Sequence, residues 1–227
     1  MGAEVKPDDR LIGTRAEVII CDEIEPQPDV IWPDEIHLGR VVGVTGSAGC
    51  GKSEVARYLE GVGFRPVRMS YPLKRMLAAY YETQGLSAKE IERRIEGDLK
   101  EVPDPLLNGK TPRHAMQTLG TEWGRDCIHE DFWVDAWKRR VAQSPQSVIC
   151  EDIRFDNEAD AVKEIGGQVY HVIAKNNRRK TSTHVSEGGV SSSKITGCIL
   201  NTSTIPDLHS EVREVVLSEA TETFAPY

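Results

Sequence analysis

The sequence predicts a three-layer α/β/α fold, a parallel sheet with helices on both faces. Three observations carry that reading. Short β-branched runs recur along the chain: Val41, Val42 and Val44; Val148 and Ile149; Val169, Val172 and Ile173. Segments with apolar residues at helical spacing separate them. The first run passes through a glycine-rich turn directly into a helical pattern. Strands that alternate with helices pair in parallel through right-handed crossovers.

The 227 residues suit one domain with an inserted subdomain. Lys and Arg number 28 against 36 Asp and Glu, a net charge of −8. That balance argues against extended nucleic-acid binding, which needs a basic surface. The five cysteines are odd in number, scattered and without a C-x-x-C pair, so free thiols in a reducing cytoplasm are expected, with no disulfide or zinc site. No apolar run is long enough for a membrane span.

Residues 1–39 are rich in Pro and acid around one apolar stretch at 16–21, and are expected to be an irregular extension. The domain proper spans 40–227. Its first strand leads into Gly46, Ser47, Ala48, Gly49, Cys50, Gly51, Lys52 and Ser53, a full G-x-x-x-x-G-K-S match in strand–turn–helix context. The glycines let successive N–H groups turn inward around phosphate, and the following helix adds its own N–H groups and dipole. Lys52 is placed to reach β- and γ-phosphates, and the Ser53 hydroxyl to ligate Mg²⁺. Cys50 lies within this loop, where an oxidant or alkylator is expected to block nucleotide binding.

The first helix should cover 52–60 and a second strand 64–69, with Ser70 beyond its C-terminal end. Pro72 opens a helix to about 81, with Leu73, Met76, Leu77 and Tyr80 on one face. Ser87 and Glu90 form a capping box for a charged helix reaching about 100. Thr111 and Pro112 start a helix over 112–119 that Gly120 ends, and a further helical stretch is expected over 121–127. Asp131 caps a helix over 132–142, in which Trp133 and Trp137 pack in the core; Trp133 is also a candidate for substrate contact. A buried strand at 147–152, a helix at 157–165 and a strand at 168–173 follow. Residues 175–196 are polar and read as a mobile loop. A short strand at 198–201 and a helix at 206–220, capped by Thr204 and Asp207, complete the pattern.

The strand ending in Glu151-Asp152 has the form of an apolar run leading to a metal-organising acid. Side chains alternate along a strand, so one of the pair faces the loop, and Asp152 is chosen over Glu151. Arg154 lies two residues on, able either to neutralise Asp152 or to clamp phosphate. Phosphoryl transfer needs positive charge gathered around clustered phosphates. Lys74 lies one turn into its helix. Arg113 and Gln117 are four apart on another, and so share a face. Arg125 follows the turn bearing Gly120 and Gly124. Arg178 and Arg179 open the mobile loop, where a lid would close on nucleotide.

With these residues assembled, the chain resembles the bacteriophage deoxynucleoside monophosphate kinases. The resemblance spans about 40–217. It rests on the 46–53 loop, SYPLK at 70–74, TPRHAMQTLGTEWGR at 111–125, DFW at 131–133, EDIRFDNEAD at 151–160 and HVSE at 184–187. It implies a P-loop kinase fold with a helical monophosphate-binding insertion over 71–142 and a lid over 175–196. It also implies transfer of the ATP γ-phosphate to a deoxynucleoside 5′-monophosphate with Mg²⁺, in the cytoplasm of an infected bacterial host, by a chain that is often dimeric. On this reading Lys52 and the loop amides hold the donor, Ser53 and Asp152 organise Mg²⁺, and Arg113 and Arg125 hold the acceptor phosphate with Lys74, Gln117 and Ser70. Arg154 and Glu158 touch the phosphate or steady the residues that do. The alternatives are a related kinase acting on dephospho-coenzyme A or on a hydroxymethylated base in phage DNA, and, more distantly, a nucleotide-dependent switch.

Overall fold

β1 (Val41–Thr45) is buried along its length and lies at the centre of a sheet ordered β2-β3-β1-β4-β5. The computed structural model describes residues 39–175 and 189–218. β3 (Val148–Cys150) and β4 (Gln168–Ala174) flank β1, with Val42 opposite both Ile149 and Gln168. β2 (Arg65–Pro66) lies outside β3, and β5 (Gly197–Asn201) outside β4. All four pairings are parallel, so every strand delivers its following loop to the same edge.

Alternation along the strands builds a core on each face. Val42, Val44, Tyr170, Val172 and Ile199 pack against Val55 and Leu59 of α1 (Lys52–Gly61) and Leu208 and Val212 of α7 (Ile205–Val212). Val41, Val148, Cys150 and Val169 pack against Val134, Trp137 and Val141 of α5 (Phe132–Ala142) and Ala159 and Val162 of α6 (Asp156–Glu164). A third core joins Leu73, Leu77 and Tyr81 of α2 (Tyr71–Thr83), Ile91 and Ile95 of α3 (Ala88–Ile95), Met116 of α4 (Pro112–Thr118) and Trp133. Among the described residues no helix is long and apolar enough to cross a membrane.

The α/β alternation and the parallel sheet are as the sequence predicts, and the caps at Ser87, Thr111 and Thr204 form as expected. Several local expectations are corrected. β2 is only two residues long, because Pro66 has no N–H to give the ladder, though Val67 still donates to Ile149 O at 2.9 Å. The buried face of α2 is Leu73, Leu77, Ala78 and Tyr81, leaving Met76 and Tyr80 exposed. The cause is Asp104, a buried carboxylate that accepts from Tyr81 Oη at 2.9 Å and Arg94 Nε at 2.8 Å and draws Tyr81 inward. α3 stops at Ile95, where Gly97 N donates to Glu92 O and residues 96–102 continue as turns.

Gly120 does not end α4. The chain continues in π-helical turns over Leu119–Ile128. Trp133 reaches into this segment, its indole N–H donating to Gly120 O at 2.7 Å. A Cβ on Gly124 would stand 2.3 Å from the same indole nitrogen, so only glycine fits there. Asp131 makes no side-chain cap to α5; its Oδ1 accepts from Asn157 Nδ2 at 2.8 Å instead. α7 likewise runs on as π-helical turns over Arg213–Leu217.

Candidate active site

Gly46, Ser47, Ala48, Gly49, Cys50 and Gly51 form the turn between β1 and α1, and Lys52 and Ser53 begin the helix. Gly46 has φ 141°, and a Cβ there would meet Val172 O at 2.7 Å and Cys50 Sγ at 2.8 Å. No side chain caps α1, whose N-cap is Gly51, so no side-chain oxygen competes for the N–H groups of its first turn. Lys52 Nζ donates to Gly46 O at 2.6 Å and Ser47 O at 2.9 Å, folding the ammonium across the loop. Ser53 is exposed. Asn201, at the end of β5, donates to Cys50 O at 2.9 Å and pins the loop from behind. The Cys50 thiol is fully buried, which corrects the expectation that reagents reach it.

Beyond β3, Glu151 and Asp152 separate as alternation requires. Glu151 pairs with Arg68. Asp152 accepts from Met69 N and Ser70 N, both at 2.9 Å. Burial alone would raise its carboxyl. The Ser70 hydroxyl, these two backbone N–H groups and Lys74 outweigh it and hold the carboxyl below the usual aspartate value. Asp152 is therefore an anion at neutral pH, fixed to the β2–α2 turn. Ser53 and Asp152 offer hard oxygen donors of the kind Mg²⁺ prefers, and that ion keeps waters and takes phosphate oxygens for the rest. Among the described residues no preformed cluster of three or more acidic, His or Cys ligands occurs.

A cleft opens past the C-terminal ends of β2 and β3. Met69, Ser70, Leu73 and Lys74 line it from the β2–α2 side, and Arg113, Met116 and Gln117 from α4. Gly120, Thr121 and Arg125 of the π-helical turns, with Trp133, Asp152, Arg154, Phe155, Glu158 and Lys100, complete the wall. The expected acceptor residues thus meet in one place. Its apolar lining is Met69, Leu73, Met116, Trp133 and Phe155. Trp133 is both core and wall, 3% exposed. Lys74 pairs with Glu96 at 2.7 Å, and Arg113 pairs with Glu101.

Arg125 is held more tightly than the sequence suggests. It donates to Glu158 Oε1 at 2.6 Å, Glu130 O at 3.0 Å and Asn157 Oδ1 at 3.2 Å, and its guanidinium lies 4.0 Å over the Phe155 ring. Glu158 in turn accepts from Arg154 N and Phe155 N at the start of α6. Burial pushes the Glu158 carboxyl up to about 7, against the opposing pull of Arg125 and the two N–H groups.

Residues 1–38, Arg178 and Arg179, most of the expected lid and the 184–187 stretch lie outside the described residues. Sequence reasoning missed Lys100, Phe155, Met116 and Asn201. Met116 had a signal, since it shares the α4 face of Arg113 and Gln117. Asn201 and Lys100 had none, because their positions depend on how distant segments meet.

The family model for deoxynucleotide monophosphate kinase matches residues 99–212. A protein of Acanthamoeba polyphaga mimivirus, provisionally named a deoxynucleotide monophosphate kinase, is 32% identical over 186 residues, 76% of this chain and 93% of its own length. The deoxynucleoside-5′-monophosphate kinase of Escherichia phage T5 is 30% identical over 98 residues, 40% of this chain and 39% of the phage protein. Among solved structures, TT1252 of Thermus thermophilus and the dephospho-CoA kinase of Campylobacter jejuni each align with a TM-score of 0.41, at 18% and 17% identity. They cover 80% and 81% of this chain and 98% of each of theirs, an overlap too loose to bear on function.

Proposed function

The chain belongs to the deoxynucleotide monophosphate kinase family, and we propose that it transfers the γ-phosphate of ATP to a deoxynucleoside 5′-monophosphate with Mg²⁺. The observation that carries this reading is the pairing of two phosphate-suited sites along one edge of the sheet. β1 leads into the glycine-rich loop and its neighbour β3 leads, two residues beyond its end, to Asp152 in the cationic cleft. Ligands of open α/β sheets collect beyond these strand ends.

The loop amides and Lys52 hold the donor phosphates, and Lys52 leaves the carbonyls of Gly46 and Ser47 to do so. Ser53 and Asp152 would hold Mg²⁺, and the ion would supply charge neutralisation to the phosphates. Arg113 and Lys74 hold the acceptor phosphate, with Gln117 and Ser70 beside it and Arg154 at the rim. The base and sugar lie toward Leu73, Met116, Trp133 and Phe155. Arg125, already bonded to Glu158, positions Phe155 and the cleft wall. No general base is required, because the attacking phosphate oxygen is already ionised. Catalysis is chiefly positioning and charge stabilisation.

A coupled assay of ADP release across the natural deoxynucleoside monophosphates tests the proposal. ADP should form only when an acceptor is present, and Lys52→Ala should lower kcat by orders of magnitude with the fold intact. Inactivity of the wild-type chain on every deoxynucleoside monophosphate would refute it.

A further inference from the structure

Lys100 is a cation of the cleft that no motif marks. It lies in the turns after α3, and its carbonyl accepts from Arg113 N at 3.0 Å, fastening those turns to the start of α4. Its half-buried side chain lines the cleft with Lys74, Arg113 and Arg154. The same turns supply Glu96, the partner of Lys74 at 2.7 Å, and Glu101, the partner of Arg113. Among the described residues no carboxylate stands within ion-pairing distance of Lys100.

We propose that Lys100 is a direct ligand of the acceptor's phosphate, and that Glu96 and Glu101 hold Lys74 and Arg113 in the cleft until that phosphate replaces them. The inference rests on the cleft being the acceptor site. A lysine kept only for surface packing runs its stem along apolar atoms and extends its ammonium into water. Here the side chain is half-buried and instead shares the wall of one cleft with Lys74, Arg113 and Arg154. Burial lowers its proton affinity first, Lys74 next, and Arg113 and Arg154 further, while Glu96 opposes them. Gathering cations this way is unfavourable until an anion enters. A phosphate dianion supplies both the missing charge and the acceptor oxygens.

Direct titration with each of the four common deoxynucleoside monophosphates, and separately with ATP, tests this on wild type, Lys100→Met, Lys100→Arg and Arg113→Ala. Lys100→Met keeps the stem and removes the charge. It should weaken monophosphate binding roughly 10- to 100-fold, the range for one charge-assisted contact, and leave ATP binding within about twofold. Lys100→Arg should recover most of the loss. In the wild type, monophosphate affinity should fall toward alkaline pH, beginning below the ordinary lysine range because burial and Lys74 lower the proton affinity of Lys100, and this limb should be smaller in Lys100→Met. If Arg113→Ala weakens monophosphate binding while Lys100→Met does not, the inference fails and the reading of the cleft stands. If neither substitution matters, both fail. Should Lys100→Met not fold, Lys100→Gln takes its place with the same expected loss, and unchanged monophosphate affinity in that variant overturns the proposal.

Discussion

Glu158 and Arg125 form an ion pair at 2.6 Å in the wall of the cleft, with their side chains 6% and 8% exposed. The pair ties the start of α6 to the π-helical turns after α4, and those turns are in turn locked onto Trp133 through Gly120 and Gly124. The cleft wall is thereby a single polar and aromatic unit, and its stability can be tested apart from its chemistry.

Removing one partner strands the other charge in a buried place. Glu158→Ala should therefore destabilise the fold by about 3–5 kcal/mol at pH 8, measured by urea unfolding. A loss well under about 1 kcal/mol would show that Arg125 finds water or another partner.

The same carboxyl has a pH signature. Burial raises its folded-state value to about 7 from an ordinary 4.5. Between those values the folded chain binds more protons than the unfolded chain, so this group's stabilising contribution is full below about pH 4.5. It is lost as pH rises through about 7. The stability of the wild type minus that of Glu158→Gln, measured from pH 5 to 8, should fall with pH and then level off. A difference that rises with pH would mean that Arg125 and the two backbone N–H groups outweigh burial.

Cysteine reactivity separates the buried thiols from the exposed ones. Cys50 and Cys150 are buried, and Cys127 and Cys198 are exposed. Brief alkylation of the native protein followed by mass spectrometry should label Cys127 and Cys198 and spare Cys50 and Cys150. Burial also raises the Cys150 thiol further from its reactive form, with Asp152 adding to the effect. Rapid labelling of Cys50 would show that the loop opens on the timescale of the reagent.

Much of the site was legible because its signals are local. The spacing of Gly46, Gly51, Lys52 and Ser53 prescribes a backbone shape, and the four-residue step from Arg113 to Gln117 prescribes a shared helix face. Strand alternation prescribed that Glu151 and Asp152 part, and they do, Glu151 to Arg68 and Asp152 to the β2–α2 turn. What the sequence hid was set by contacts between distant segments. Asp104 turns α2 by recruiting Tyr81. The Trp133 indole N–H seizes the Gly120 carbonyl, and the chain runs on in π-helical turns where a stop was expected. Lys100 looked like the end of a charged helix, yet Gly97 ends that helix early and the turns carry Lys100 into the cleft.

The central claim is that the cleft between α2 and α4 receives the acceptor while the glycine-rich loop receives the donor. Steady-state kinetics of Arg113→Ala with both substrates varied tests it most directly. The KM for the deoxynucleoside monophosphate should rise roughly 10- to 100-fold, as for loss of one charge-assisted phosphate contact, while the KM for ATP changes less than about twofold. A variant that loses ATP binding and keeps its monophosphate KM would contradict the account, because the donor and acceptor sites would then be reversed.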